Sequence, residues 1–297
     1  MLPEFELFEP RDLKEAVAIL AEFGERARPL AGGTDLIAQM REGHTRPEYL
    51  VDIKGLEELK GVTFSESGLL VIGTLTTLRS LESSSLIREK FPILHDAVSH
   101  MGSVQIRNRG TIGGNLCNAH PSADATAALL ALGARLRVQG PQADREVAIE
   151  DFFPGPHKTD LNSSEILTHI QISTGLHRTG GAYSKYTIRK AMDPALVGVG
   201  VYLQADQDGA VCREARIALA TAGPRPLRAL RAEETLKGRA LGREPFERAG
   251  EVAAEEASPR SSWRASEDYS RHLIKVLLPE VAQVAWERLG GKGREVH

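Results

Sequence analysis

The chain has 297 residues, 41% of them hydrophobic, which is enough for about two domains with sizeable cores. Its 37 Lys and Arg against 40 Asp and Glu leave a formal charge of -3, without the basic excess that binding to a phosphate backbone exploits, so nucleic acid is not an expected partner. The opening MLPEFELFEPRDLKEA places acids where a secretory signal needs a basic start, and no apolar run approaches spanning length; a cytoplasmic chain without a membrane span is expected.

Leu13, Ala16, Val17 and Leu20 recur at helical spacing and Gly24 offers a stop, which predicts a short first helix. ARPLAGGTDLIAQM reads as a brief strand, a glycine turn and a second helix, and EYLVDI as a further strand, so a compact unit extends to about Lys54. From Gly55 the pattern restarts. GLLVIGTLT reads as a strand, Thr76 and Thr77 offer a cap for a helix through Leu78 and Leu81, and FPILHDAVSHMG predicts a helix ending at Gly102. DATAALLALG has the composition of a buried helix closed by Gly133, and ARLRVQG that of a strand returning beside it. Gly32-Gly33 and Gly113-Gly114 thus fall at comparable strand-to-helix junctions.

Beyond about Thr174, GAYSKYTIRK, LVGVGVYLQ and VCREARIALATAG are strand-like, with a hairpin at Asp208-Gly209. Helices follow, and EDYSRHLIKVLLPEVAQVAWERL carries apolar residues at mostly helical spacing ahead of a frayed GGKGREVH. Cys117 and Cys212 are the two cysteines, and His120 has no second ligand pair, so no metal or iron-sulfur site is expected within the chain.

RGTIGGNLCNAHPSAD carries the second glycine pair, in neither the G-x-G-x-x-G nor the P-loop pattern. A diphosphate needs several N-H donors aimed at it and a backbone that approaches without side-chain collision, both of which glycine permits. Thr34 and Asn115, each just after a glycine pair, add side-chain donors, and Asp124 is an acceptor suited to sugar hydroxyls. Either pair alone reads more readily as a turn, and two in matching contexts shift the reading toward a diphosphate.

Together, PLAGGTDL, RGTIGGNLCNAHPSAD, KYTIRKAMDPALVGVGV and the segment from Arg264 to Leu273 resemble the FAD-binding medium subunit of the molybdenum hydroxylases, the xanthine dehydrogenase, aldehyde oxidase and carbon monoxide dehydrogenase family. The resemblance implies an α+β, PCMH-like (vanillyl-alcohol oxidase type) fold. FAD-binding subdomains would occupy 1-54 and 55-174, a C-terminal α+β domain 175-290, and a tail 291-297. It implies contacts to FAD from Pro29, Leu30, Ala31, Gly32, Gly33, Thr34, Asp35 and Leu36, and from Gly110, Thr111, Gly113, Gly114, Asn115, Cys117, Asn118, Ala123 and Asp124. Met101, Gly102, Leu196 and Val197 would approach the flavin ring.

By the same resemblance, a large subunit carries the molybdopterin cofactor and a small subunit two two-iron two-sulfur clusters, the whole assembling as a dimer of heterotrimers. Electrons would pass through FAD to NAD, oxygen, quinone or another acceptor, and this chain would hold no catalytic residue of its own. A self-sufficient flavin reductase of the same fold and a non-catalytic nucleotide-binding module remain as alternatives. His120 reads as structural or solvated, and Lys158 as a surface or interface lysine with His157 where the family has glycine. Arg228 and Arg231 read as an exposed helix face, and Tyr183 and Tyr186 as strand packing.

Overall fold

A computed structural model describes residues 2-173, 178-189 and 192-290; the terminal tail 291-297 and the boundary at Thr174 lie outside them. In chain order the first elements are β1 (Glu6–Phe8), α1 (Leu13–Phe23), β2 (Ala27–Leu30), α2 (Leu36–Glu42), β3 (Tyr49–Asp52), β4 (Val62–Phe64) and β5 (Leu69–Gly73). Next come α3 (Leu78–Ser83), α4 (Ser85–Lys90), α5 (Pro92–Ser99), α6 (Val104–Arg109), α7 (Ile112–Asn118), α8 (Asp124–Ala131), β6 (Arg135–Gln139), β7 (Asp144–Ala148) and β8 (Ile166–Ser173). The remainder is β9 (Thr179–Tyr186), β10 (Val197–Ala205), β11 (Cys212–Ala220), β12 (Leu227–Arg228), α9 (Leu230–Leu236), α10 (Arg243–Glu256) and α11 (Glu267–Arg288).

The chain divides into two compact units, the first made of Met1–Leu81, Val104–Ala119 and Ala134–Ser173. It holds a parallel sheet in the order β1-β3-β2 and an antiparallel sheet in the order β4-β5-β8-β6-β7. Helix α1 begins where Asp12 accepts a hydrogen bond from the Glu15 amide, and its buried stripe of Leu13, Ala16, Val17 and Leu20 packs with Val51, Ile53 and Leu59. Thr77 accepts from the Ser80 amide at 3.1 Å, the expected cap of α3. β6 pairs with β7 and β8 in this unit, and α8 belongs to the other unit. The second glycine pair also differs from expectation, for it lies inside α7, directly after α6, and not in a loop after a strand.

The second unit, Glu82–Ser103, His120–Gly133 and Thr174–His297, is built on an antiparallel sheet in the order β12-β11-β10-β9. The alternation V-G-V-G-V in β10 sets its two faces. Val197, Val199 and Val201 join the core formed with Phe246, Ile274 and Leu278 of α10 and α11. Gly198 and Gly200 point the other way, where a Cβ on Gly200 would sit 3.3 Å from the Ala127 carbonyl oxygen of α8. Small side chains make α8 suited to that depth, and all eight of its residues are buried.

On β9, a Cβ on Gly180 would lie 2.0 Å from the Ala285 carbonyl oxygen of α11. Gly180→Ala should therefore lower stability by about 3 kcal/mol through forced backbone separation, while Gly55→Ala, which meets nothing within 4 Å, should stay within about 0.5 kcal/mol. Chemical denaturation of both variants checks this, and matching midpoints would remove the packing argument.

Candidate cofactor-binding site

In the first unit the site begins between β2 and α2. Gly33 has φ 76°, a left-handed conformation that suits glycine. A Cβ on Gly32 would lie 2.0 Å from the Arg109 carbonyl oxygen and 3.0 Å from the Gly110 Cα, so this loop rests backbone against backbone on the junction of α6 and α7. Asn118 of α7 ties the same pieces together, donating to Asp35 Oδ1 at 3.0 Å and accepting from Gln39 Nε2 at 2.9 Å. Pro29 to Leu36 and Gly110 to Asn118 are thereby brought to one place. Among the described residues the amides of Gly32, Gly33 and Thr34 have no hydrogen-bond acceptor, and all three residues are only partly buried. Successive open amides at a turn of this kind form a concavity for an anion.

Helix α7 contributes differently from what the glycine pair suggests. Ile112 and Gly113 donate their amides to the carbonyls of Thr76 and Thr74, each at 3.0 Å, and Gly114 donates to the capping Thr111 hydroxyl at 3.1 Å. Those amides are taken within the fold. Gly113 serves packing, since a Cβ there would lie 1.5 Å from Thr74 Oγ1. What α7 leaves open is the Asn115 side chain, whose buried Oδ1 has no partner. A buried amide end without a partner is rare in a folded protein and marks a place where a ligand would complete the hydrogen bonding. Cys117 lies on the exposed side of α7.

Met101, Gly102, Ala123, Asp124, Leu196 and Val197 lie in the second unit. Met101 is buried and Gly102 turns the chain with φ 53°. Leu196 and Val197 are buried at the start of β10, where the Leu196 amide donates to the Tyr186 carbonyl at 2.8 Å. Ala123 precedes α8, and Asp124 opens it.

Asp124 is buried, accepting from the Tyr183 hydroxyl at 2.5 Å and from Lys185 Nζ at 2.7 Å. Burial raises its carboxyl above the ordinary range, opposed by the Lys185 ammonium and the Tyr183 hydroxyl; Tyr183 itself is pushed well above its usual value, first by burial and then by the adjacent carboxylate. Lys185 was not anticipated. Gly181, Tyr183 and Lys185 share one face of β9 by strand parity, and Gly198 opposite Lys185 leaves room for the phenol, since a Cβ there would be 2.4 Å from the Tyr183 hydroxyl. A lysine on the buried face of a strand was the available signal.

The other conspicuous residues have local partners. His120 Nδ1 accepts from the Ser122 amide at 3.1 Å. Lys158 is exposed, and His157 takes a left-handed turn at φ 55° with its amide on the Ala119 carbonyl at 3.0 Å. Arg228 pairs with buried Glu233, and Arg231 with Glu255.

The family model described as the FAD binding domain in molybdopterin dehydrogenase matches residues 3-174, and that of the CO dehydrogenase flavoprotein C-terminal domain matches residues 182-285. The chain is 36% identical over 282 residues to the xanthine dehydrogenase FAD-binding subunit of Escherichia coli O157:H7, covering 94% of this chain and 95% of that one. The structure of carbon monoxide dehydrogenase from Hydrogenophaga pseudoflava lacking the Mo-pyranopterin moiety matches with a TM-score of 0.92 at 33% identity, over 97% of this chain and 99% of that one. Quinoline 2-oxidoreductase from Pseudomonas putida 86 matches with a TM-score of 0.89 at 30% identity, over 97% and 98%. The architecture is thus an α+β FAD-binding fold, and its class is that of flavoprotein oxidoreductase chains. Within that class, the chain belongs to the FAD-binding medium subunits of the molybdenum hydroxylases.

Lys185 acts on Asp124 through charge, so Lys185→Met should destabilise the protein by about 3 kcal/mol at neutral pH, leaving a buried carboxylate without its cation. The sign follows from linkage. In the variant the folded state holds the Asp124 proton more tightly than the unfolded state does, so stability returns as pH falls through the raised folded pKa. Denaturation from pH 7 to pH 4 should show the gap to wild type narrowing; a gap independent of pH would rule out the electrostatic role.

Proposed function

We propose that this chain is the electron-transfer subunit of a multi-subunit molybdenum hydroxylase, taking electrons from iron-sulfur clusters and passing them to NAD, oxygen, quinone or another acceptor. The observation that carries this reading is the meeting of the Gly32 turn with the α6-α7 junction, which leaves the Gly32, Gly33 and Thr34 amides open, while the Asn115 Oδ1 of α7 is buried without a partner. The backbone amides fit a dinucleotide diphosphate in kind, being donors with no side chain at the closest approach, and the Asn115 oxygen is an acceptor for a hydroxyl of the same cofactor. Bound FAD supplies redox chemistry that joins one-electron donors to two-electron acceptors.

The protein's own task is to bind and orient. Gly32, Gly33 and Thr34 would hold the diphosphate, the Asn115 Oδ1 would accept from a cofactor hydroxyl, and Asp124 would accept from a flavin hydroxyl. Met101-Gly102 and Leu196-Val197 would bound the ring and restrict water. Residues 1-54 and 55-174 serve as FAD-binding subdomains and 175-290 as the C-terminal domain. By the family resemblance, the partners would be a large subunit with the molybdopterin cofactor and a small subunit with two-iron two-sulfur clusters, arranged as a dimer of heterotrimers. Among the described residues no helix is long and apolar enough to cross a membrane, which is compatible with a cytoplasmic complex.

Asn115→Ala should weaken FAD binding by about fivefold, the worth of one neutral hydrogen bond accepted by the Asn115 oxygen. Its unfolding midpoint without FAD should stay near wild type, because the buried oxygen has no internal partner to lose. Fluorescence titration of FAD with a parallel thermal melt checks both; unchanged affinity removes Asn115 from the site.

The FAD-loaded chain alone should not oxidise the organic substrate of its complex. Two cysteines are too few for an iron-sulfur cluster with four thiolate ligands, so electrons must enter through a partner. Stopped-flow absorbance with candidate substrates, before and after the partner subunits are restored, should show flavin bleaching in the complex only. Rapid bleaching by substrate without partners would instead establish a self-sufficient flavoenzyme.

A further inference from the structure

Three consecutive backbone carbonyls in the second unit are each held by a side chain from a different stretch of the chain. Lys185 Nζ of β9 reaches the Asp193 carbonyl at 3.4 Å, Arg264 Nη2 donates to the Pro194 carbonyl at 2.9 Å, and Thr221 Oγ1 donates to the Ala195 carbonyl at 3.1 Å. The Arg264 guanidinium also meets Asp193 Oδ1 at 2.7 Å. Asp193 is anchored in turn by the amides of Ile188 and Arg189, at 2.8 and 3.0 Å, and its side chain is 3% exposed. Nothing in the packing of a hydrophobic core requires this. The pinned stretch runs directly into Leu196 and Val197.

Two of the three residues also hold the stretch that leads to Asp124, one by its side chain and one by its backbone. Lys185 bonds the Asp124 carboxylate, and the Thr221 amide donates to the Pro121 carbonyl at 3.0 Å. Thr221 pays conformationally for its place: a β-branched residue at φ 61° is a genuine outlier. Strain of this kind persists only where the surroundings over-determine it, and it concentrates at functional sites.

We propose that Thr221 and Arg264 are positioning residues, which lock the Asp193-Val197 segment in register with the Pro121-Asp124 stretch so that both present a fixed surface to the flavin. This rests on the FAD-binding reading above. Thr221 is the sharper probe, because its hydroxyl is the link to Ala195, which is 1% exposed and leaves its carbonyl without other relief. Arg264 acts from outside the pinned backbone and gives an independent second probe. Fixing a ligand's surroundings through residues that do not touch it is a general way to set the geometry of a site.

The test uses the full chain loaded with FAD. Thr221→Val keeps the branched shape and the strained backbone while removing the hydroxyl; Thr221→Ser restores it. Thr221→Val should bind FAD roughly tenfold more weakly and change the visible circular dichroism of the bound flavin, Thr221→Ser should recover both, and Arg264→Gln should change the spectrum in the same sense. A wild-type chain that takes up no FAD overturns the underlying reading and the clamp with it. FAD uptake with the same affinity and spectrum in wild type, Thr221→Val and Arg264→Gln overturns the clamp alone. So does a weakening in Thr221→Val that follows a matching fall in unfolding midpoint and is not recovered by serine.

Discussion

Backbone set against backbone, at positions where only glycine fits, is the constraint on which both units depend. Gly32 against the Arg109 carbonyl fixes the first turn on α6 and α7, and Gly113 against Thr74 fixes α7 on the strand end that carries it. In the second unit Gly180 lets α11 down onto β9, and Gly200 lets α8 down onto β10. A methyl group at Gly32 or Gly180 would meet a carbonyl oxygen at 2.0 Å and force the two backbones apart, and close-packed interiors do not absorb that locally. The polar features of the site follow from these approaches. The open amides at Gly32 to Thr34 exist because the turn is held by contact with α6 and α7 and not by hydrogen bonds to its own N-H groups.

The buried charge at Asp124 depends on the same economy of side chains. A carboxylate at the first residue of a wholly buried helix is costly unless paired and hydrogen-bonded. The pair comes from β9, and it reaches Asp124 because the facing positions of β10 are Gly198 and Gly200. Larger residues there would displace the Tyr183 phenol and separate Lys185 from its partner. A stretch of V-G-V-G-V that reads as an ordinary buried strand is therefore also an electrostatic device: valines on one face build the core, and glycines on the other admit a charged network.

Much of this was legible in the residues. The apolar spacing of α1, the glycine turn before α2, the buried composition of α8 and the strands β9, β10 and β11 all follow from pattern and turn chemistry. The misses have physical causes. IGGNLCN has poor helix propensity, and α7 forms because Thr76, Thr74 and Thr111 take its first amides, acceptors that only the tertiary fold supplies. β6 follows α8 closely in sequence, which favours neighbours, yet it pairs with β8, a strand that arrives some thirty residues later. Lys185 was visible by parity on β9, but its meaning required the register that sets Gly198 opposite. Thr221 gave no signal at all, since threonine is a strand former and nothing local announces a left-handed conformation.

The positions of that strain are informative. Ala119, His157, Met192 and Thr221 are the non-glycine residues with positive φ among those described. Ala119 ends α7, and His157 donates its amide to the Ala119 carbonyl; Met192 precedes Asp193, and Thr221 holds Ala195. Ala119 thus adjoins the proposed cofactor residue Asn118, and Thr221 holds the residue before Leu196. A glycine would relieve each turn, but in the unfolded chain it would add freedom that folding must remove, and at Thr221 it would delete the hydroxyl. Side chains retained in an unfavourable backbone are those whose contacts outweigh roughly 1 kcal/mol of local strain. Among the described residues, strain at non-glycine positions is thus confined to the short turns at Ala119, His157, Met192 and Thr221, where the chain must turn sharply and hold its direction.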